Sequence, residues 1–150
     1  MKKKVWGNAV WFLFHTLAHK LKTEYSNEAI VLFEQINTIC SNLPCPDCQE
    51  HATKILSMVN RKSINSRDTL IQFLFTFHNI VNKNTNAAEF KQESLSMYVN
   101  ANTNNIISNF INIMNLNMNN SKLMMDSFRR KNSMSSFVNY IRANGYKYNA

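Results

Sequence analysis

The chain has 150 residues, with 17 Lys+Arg against 9 Asp+Glu, a formal net charge of +8, and a 45% hydrophobic content that includes ten Phe and eight Met. That is one domain with enough apolar side chain for a core, and its two glycines and two prolines are too few for the turns of a β-sandwich or barrel, which leaves an all-α fold. Three cysteines exclude a disulfide scaffold, dispersed lysines without a nucleic-acid-binding motif argue against nucleic acid as the primary partner, and no stretch reaches the roughly 20 apolar residues that span a bilayer.

Met1-Lys2-Lys3-Lys4 ahead of an apolar run imitates a secretory leader. Asn8 and His15 interrupt that run, no small-residue cleavage site follows, and the spacing is helical, so the segment is expected to be retained and the chain to stay in the cytosol rather than be secreted. Trp6, Val10, Leu13, Leu17 and Leu21 recur at three- and four-residue steps and predict a helix from Val5 to about Glu24. Gly7, Trp11 and His15, each four apart, share a second face that offers close approach, a stacking surface and hydrogen bonds.

Ser26-Asn27-Glu28 caps a second predicted helix, from about Asn27 to Leu43, with Leu32, Phe33, Ile36, Ile39, Cys40 and Leu43 facing inward; Cys40 reads as a small buried apolar residue. A third helix starts at Pro44-Cys45-Pro46-Asp47-Cys48. Pro46 suits the first helical position, where its missing N–H costs nothing, so Cys45 stands at the helix start and Cys48 one turn in. Unpaired N–H groups and the helix dipole favour thiolate there, and such sites lower a thiol pKa from about 8.5 to roughly 3.5–7.5. His51 lies one turn further on; Ala52, Ile55, Leu56 and Val59 form the inward face to about Met58.

Ser66 or Asp68 starts a fourth helix that runs to about Lys83. Leu70, Phe73, Leu74, Phe77 and Val81 make its core stripe; Ile71, Phe75, His78 and Asn82 make another face, with Asn79 and Lys83 beside it. Two helices that each carry aromatic and imidazole groups on one surface suggest a planar ligand between them. Ala88 to Met97 reads as a short fifth helix. The Asn-rich stretch 100–120 keeps helical apolar spacing at Ile106, Ile107, Phe110, Ile111, Ile113, Met114, Leu116 and Met118, although Asn is a poor helix former. A last helix is expected from Met134 to Ala143, ended by Gly145, and the final few residues are expected to be disordered.

A C-x-x-C pair supports several chemistries. Zinc needs four ligands, and Cys45, Cys48 and two histidines supply them on paper without a second knuckle pair. A c-type haem is excluded because His51 stands three residues after Cys48, and a thioredoxin-like unit lacks its strands. A flavin-linked thiol oxidase is the fourth option.

Trp11-x-x-x-His15-Thr16-Leu17-Ala18, Pro44-Cys45-x-x-Cys48-x-x-His51 and His78-Asn79-x-Val81-Asn82-Lys83 together resemble, in order, spacing and residue type, the signature of the Erv/ALR FAD-linked sulfhydryl oxidases. The likeness covers about residues 4 to 98, and is closest to the short forms of large cytoplasmic DNA viruses. It implies a four-helix bundle with a short fifth helix that binds FAD, in a homodimer. Residues 1–99 would form the oxidase domain and 100–150 a helical extension. It implies that Cys45 exchanges with the substrate dithiol and Cys48 lies against the isoalloxazine. Gly7, Trp11, His15, Asp47 and His51 would contact the flavin and adenine, and His78, Asn79, Asn82 and Lys83 the adenine, ribose and phosphates, with no metal. Electrons would pass from a thioredoxin-like or small dithiol protein to the Cys45–Cys48 disulfide, then FAD, then O2, giving hydrogen peroxide. The location implied is the host cytoplasm, or the virion. The chain departs from the family in having Lys20 where members often carry Tyr, Asn84-Thr85-Asn86 after the His-Asn block, and no second C-x-x-C. The alternative is a zinc-binding or basic interaction module without oxidase activity.

Overall fold

A computed structural model describes residues 2–118 and 124–150. Among the described residues seven α-helices follow one another: α1 (Lys3–Lys20), α2 (Ala29–Cys40), α3 (Pro46–Ser57), α4 (Arg67–Asn84), the single turn α5 (Ser96–Val99), α6 (Thr103–Met118) and α7 (Met124–Asn144). No strand forms among them; the one extended pairing is a bridge between Leu21 and Tyr148.

α1 is the helix the others surround. Its stripe Trp6, Val10, Leu13, Leu17 and Leu21 is buried, and so is the unbroken run from Leu13 to Ala18. A helix hidden on every side needs partners on every side. α4, α5 and α6 supply them, with α2 behind. α2 buries Leu32, Phe33, Ile36, Ile39 and Cys40, and α4 buries Leu70, Leu74 and Phe77. Each such Leu or Phe taken from water contributes about 1.5–3 kcal/mol. The result is the all-α fold expected: a bundle of α1 to α4, a short fifth helix, and a helical extension.

The extension docks rather than trails. Phe110 and Met114 of α6 and Met134 and Phe137 of α7 join the same core as α1 and α2. Burial of these side chains outweighs the poor helix propensity of the asparagines around them.

Several expected boundaries move. α1 stops at Lys20 rather than Glu24, because Leu21 and Lys22 turn extended and Lys22 N–H donates to the Lys147 carbonyl at 2.8 Å; a 3-10 segment follows at Thr23–Glu28. α2 is shorter than the expected span to Leu43 at both ends. The expected helix over Ala88–Met97 is instead an open stretch, a 3-10 turn (Gln92–Leu95) and α5, because side chains of α4 capture the backbone of residues 88–90. α7 begins ten residues before the expected Met134. Gly145 does not end it with a left-handed turn, since no glycine among the described residues has a positive φ; the chain tightens into a 3-10 turn at Gly145–Lys147. The last residues, expected to be disordered, are held: Asn149 N–H donates to the Lys20 carbonyl at 2.7 Å, and Lys20 Nζ donates to the Ala150 oxygen at 2.7 Å. The side chain of Met118, residues 119 and 120 of the Asn-rich stretch, and residues 121–123 after it lie outside the described residues.

α4 starts as its sequence suggests. Ser66 Oγ accepts from Thr69 N–H at 3.1 Å and Thr69 Oγ1 accepts from Ser66 N–H at 3.0 Å, a reciprocal cap that satisfies two otherwise unpaired donors. No helix among the described residues is long and apolar enough to cross a membrane.

Candidate active site

The entry to α3 positions both sulfurs. Cys45 is the N-cap, with extended backbone (φ −133°, ψ 115°), and Pro46 takes the first helical position. Cys48 N–H donates to Cys45 Sγ at 3.2 Å, so the first turn of the helix points a backbone donor at that sulfur. The two cysteines are joined as a disulfide, with Cα atoms 5.2 Å apart, and both are half-buried.

A cavity of about 250 Å³ lies against this disulfide. α1 contributes Lys3, Trp6, Val10, Trp11 and Phe14; the end of α2 and its exit contribute Cys40 and Leu43; α3 contributes Asp47, His51 and Ala52; α4 and its cap contribute Phe77, Val81 and Thr85. The wall is mostly aromatic and aliphatic. Burial pushes the Cys40 thiol well above its ordinary range, so it stands in the wall as a protonated, unreactive group.

Trp11 connects the cavity to a second cluster. Its indole meets Phe77 edge-on (5.1 Å, 70°) and lies flat on His78 of α4 (4.1 Å, 5°). His78 also stacks on Phe90 (4.4 Å, 18°), and His15 stacks on Phe90 (5.1 Å) and Tyr98 (4.7 Å). His15 Nε2 and His78 Nδ1 share a hydrogen bond of 2.9 Å. Desolvation, and then for His15 the neighbouring His78 and His19, pulls the His15 pKa down to about 3 and that of His78 to about 4, so both rings are neutral at neutral pH. His15 Nδ1 is buried without a hydrogen-bond partner among the described residues.

All the predicted site residues but Gly7 therefore fall into three groups. Trp11, Cys45, Asp47, Cys48 and His51 share the cavity. Asn79, Asn82 and Lys83 line a separate pocket of about 380 Å³ with Ala87 and Glu89. His15 and His78 lie in the ring stack, with His15 enclosed. Gly7 walls neither space; a Cβ added to it would meet nothing within 4 Å. Asn79 is engaged by the protein itself: its Nδ2 donates to the Phe90 carbonyl at 3.0 Å and its Oδ1 accepts from Phe90 N–H at 2.8 Å.

Sequence reasoning missed Lys3, Phe14, Thr85, Phe90 and Tyr98. Val81 and Thr85 continue the core stripe of α4 by one turn each, so the signal for Thr85 was present; Phe90 and Tyr98 have no local pattern that marks them. Among the described residues no group of three or more His, Cys, Asp and Glu side chains is arranged to hold a metal ion, and the zinc alternative finds no ligand set there.

A sequence profile of the Erv1/Alr family matches residues 8–103, which contain the disulfide, most of the cavity wall and both histidines of the stack. The chain belongs to the Erv1/Alr family. A protein of Invertebrate iridescent virus 3 named as an FAD-linked sulfhydryl oxidase is 33% identical over 94 residues, 61% of this chain and 64% of that relative's length. A Variola virus protein named as an FAD-linked sulfhydryl oxidase is 30% identical over 79 residues, 53% of this chain and 81% of the relative. A fowlpox virus protein of the same description is 23% identical over 79 residues, 53% of this chain and 80% of the relative. No solved structure matches the chain. The Erv1/Alr match thus covers the segment that holds the C-x-x-C, and α7 and all of α6 after Thr103 lie beyond the matched residues.

Proposed function

We propose that the chain is an FAD-dependent thiol oxidase that forms disulfide bonds in protein substrates. The observation that carries the reading is a C-x-x-C disulfide at a helix N-terminus, sharing an aromatic-walled cavity with Trp11. In balance, two substrate thiols and O2 become one disulfide and hydrogen peroxide.

The cavity wall fits a planar ring system: Trp6, Trp11, Phe14 and Phe77 give it aromatic surface, and its polar atoms are few. Trp11, Asp47 and His51 would border the flavin rings, and the open space at Gly7 lies on the same face of α1. Asn79, Asn82 and Lys83, with His15 and His78, are the proposed residues for the adenosine and phosphate end. When bound, FAD supplies the two-electron acceptor and the reaction with O2.

The protein's own chemistry is thiol exchange. A substrate thiolate attacks the Cys45 sulfur; the new S–S bond forms as the Cys45–Cys48 bond breaks, and Cys48 leaves as a thiolate inside the cavity. The N-terminal turn of α3 stabilises that charge through its unpaired N–H groups. A second substrate thiol then displaces Cys45, releases the substrate disulfide and leaves both cysteines reduced.

The electron donor proposed is a thioredoxin-like or small dithiol protein, which would reduce the Cys45–Cys48 disulfide directly. A homodimer in the host cytoplasm, with packaging into a virion, is the proposed setting. Residues 1–99 carry the chemistry in this reading, and α6 and α7 brace it.

The test is a visible spectrum of the purified protein before and after a dithiol reductant in air. An oxidised-flavin spectrum that bleaches and recovers as oxygen is consumed is the expected result. A protein that stays colourless with added FAD overturns the proposal.

A further inference from the structure

We infer that Phe90, held by Asn79, is a positioning residue that fixes the plane of His78 and, through it, the Trp11 indole that walls the redox cavity. Only the consequence for cofactor binding rests on the flavin reading above; the effect on Trp11 does not.

Residues 85–91 form no helix, and Asn86 takes the left-handed conformation (φ 58°) that lets the chain turn back along α4. Four hydrogen bonds then strap it down. The Asn82 carbonyl accepts from Ala87 N–H at 2.8 Å, and Asn82 Nδ2 donates to the Ala88 carbonyl at 3.0 Å. One turn back, Asn79 grips both backbone groups of Phe90. An asparagine amide that satisfies a donor and an acceptor of one residue fixes that residue's backbone without any secondary structure.

The grip places one ring. Phe90 lies nearly flat on His78 and His15 rather than pointing into the bundle core. His78 lies parallel to Trp11 on α1. Phe77 and Phe14 touch Trp11 only by edge contacts, at 70° and 85°, so His78 is the nearest near-parallel neighbour that sets the indole plane. Stacked aromatic pairs prefer offset parallel geometry, and an imidazole stacked on Phe90 as well as Trp11 is less free to rotate. Without Phe90, that face of His78 opens to water and the constraint passing from strap to cavity wall is lost.

The test uses the full-length chain labelled with 15N at its two tryptophan indoles. Trp11→Phe identifies which indole N–H signal belongs to Trp11. In Phe90→Ala and Asn79→Ala, the Trp11 signal is expected to shift or broaden while the Trp6 signal stays in place, and Phe90→Tyr restores it. FAD affinity, titrated separately, is expected to fall about tenfold in Phe90→Ala and to stay within about twofold in Phe90→Tyr, the scale of one aromatic stacking contact. A Trp11 signal unmoved by Phe90→Ala overturns the inference. Equal loss of both indole signals in Phe90→Ala, matched by Phe90→Leu, makes Phe90 a core filler and overturns it too. If the native chain takes up no FAD, the flavin reading fails while the Trp11 shift still decides the positioning role.

Discussion

His15 on α1 and His78 on α4 stand 63 positions apart in sequence and 2.9 Å apart in space, ring nitrogen to ring nitrogen. Neither is charged at neutral pH, because water has been removed from around both. One imidazole donates and the other accepts, which only a neutral donor ring facing a neutral acceptor ring achieves without an uncompensated buried charge.

This pair makes the fold acid-sensitive. Both folded-state values lie below the ordinary 6.5, to about 3 for His15 and about 4 for His78. Below pH 6.5 the unfolded chain binds protons that the native chain refuses, so stability falls as the pH drops from about 6.5 toward 4. The buried His15 dominates, and solvent screening trims the share of the half-buried His78; together the loss is on the order of a few kcal/mol. Urea unfolding of the oxidised protein at pH 7, 6, 5 and 4 measures it. The difference between native chain and His15→Gln isolates the histidine contribution from that of the carboxylates, and a pH-independent difference would remove the argument.

Cys45→Ser and Cys48→Ser should each abolish turnover with a dithiol substrate while FAD remains bound, since each removes one half of the only disulfide among the described residues. Cys40→Ser should leave turnover largely intact, because burial holds that thiol protonated and it takes no part in the exchange. Substantial activity in either of the first two variants, or its loss in the third, contradicts the assigned chemistry.

Much of this site could be read from local rules. Pro46 at the first helical position and the thiol before it announce a helix start, because capping depends on three or four consecutive residues. The Trp6–Leu21 stripe announces a core helix, because burial selects a 3.6-residue period. The strap was not legible. Ala88–Met97 has acceptable helix composition, and what opens it is an amide on α4 eleven residues from Phe90, a contact no local pattern carries. Arg130 is buried within α7, ahead of the expected start at Met134, a burial that its own charge does not announce. His15 and Asn79 are expected ligand contacts; that His15 also bonds His78 and Asn79 also holds Phe90 is something only the packed fold reveals.

Ser66→Ala should destabilise the protein by about 1 kcal/mol, the usual cost of removing a side-chain N-cap, because Thr69 N–H loses its acceptor. Ser66→Asp should recover most of it, since its carboxylate can accept the same bond and suits the positive end of α4. Denaturant midpoints with unchanged slopes measure both, and equal loss in the two variants would mean that the cap is not what Ser66 supplies.

Phe110 of α6 and Phe137 of α7 meet edge to face, with centroids 5.5 Å apart, and both are fully buried in the core that includes α1 and α2. A helical extension that merely lay on the surface would unfold on its own, at lower denaturant than the bundle. One that shares a core cannot, because opening it exposes α1, whose second half is otherwise hidden on every side. Phe110→Ala or Phe137→Ala should therefore cost about 3–5 kcal/mol each, and less than the sum when combined, since the two rings remove one shared contact. The loss should appear in a single transition, seen alike by helical circular dichroism and by the fluorescence of Trp6 and Trp11 on α1. A split into two transitions, with the tryptophans unaffected by the first, would show that α6 and α7 form a separate cooperative unit and that the bundle of α1 to α4 stands without them.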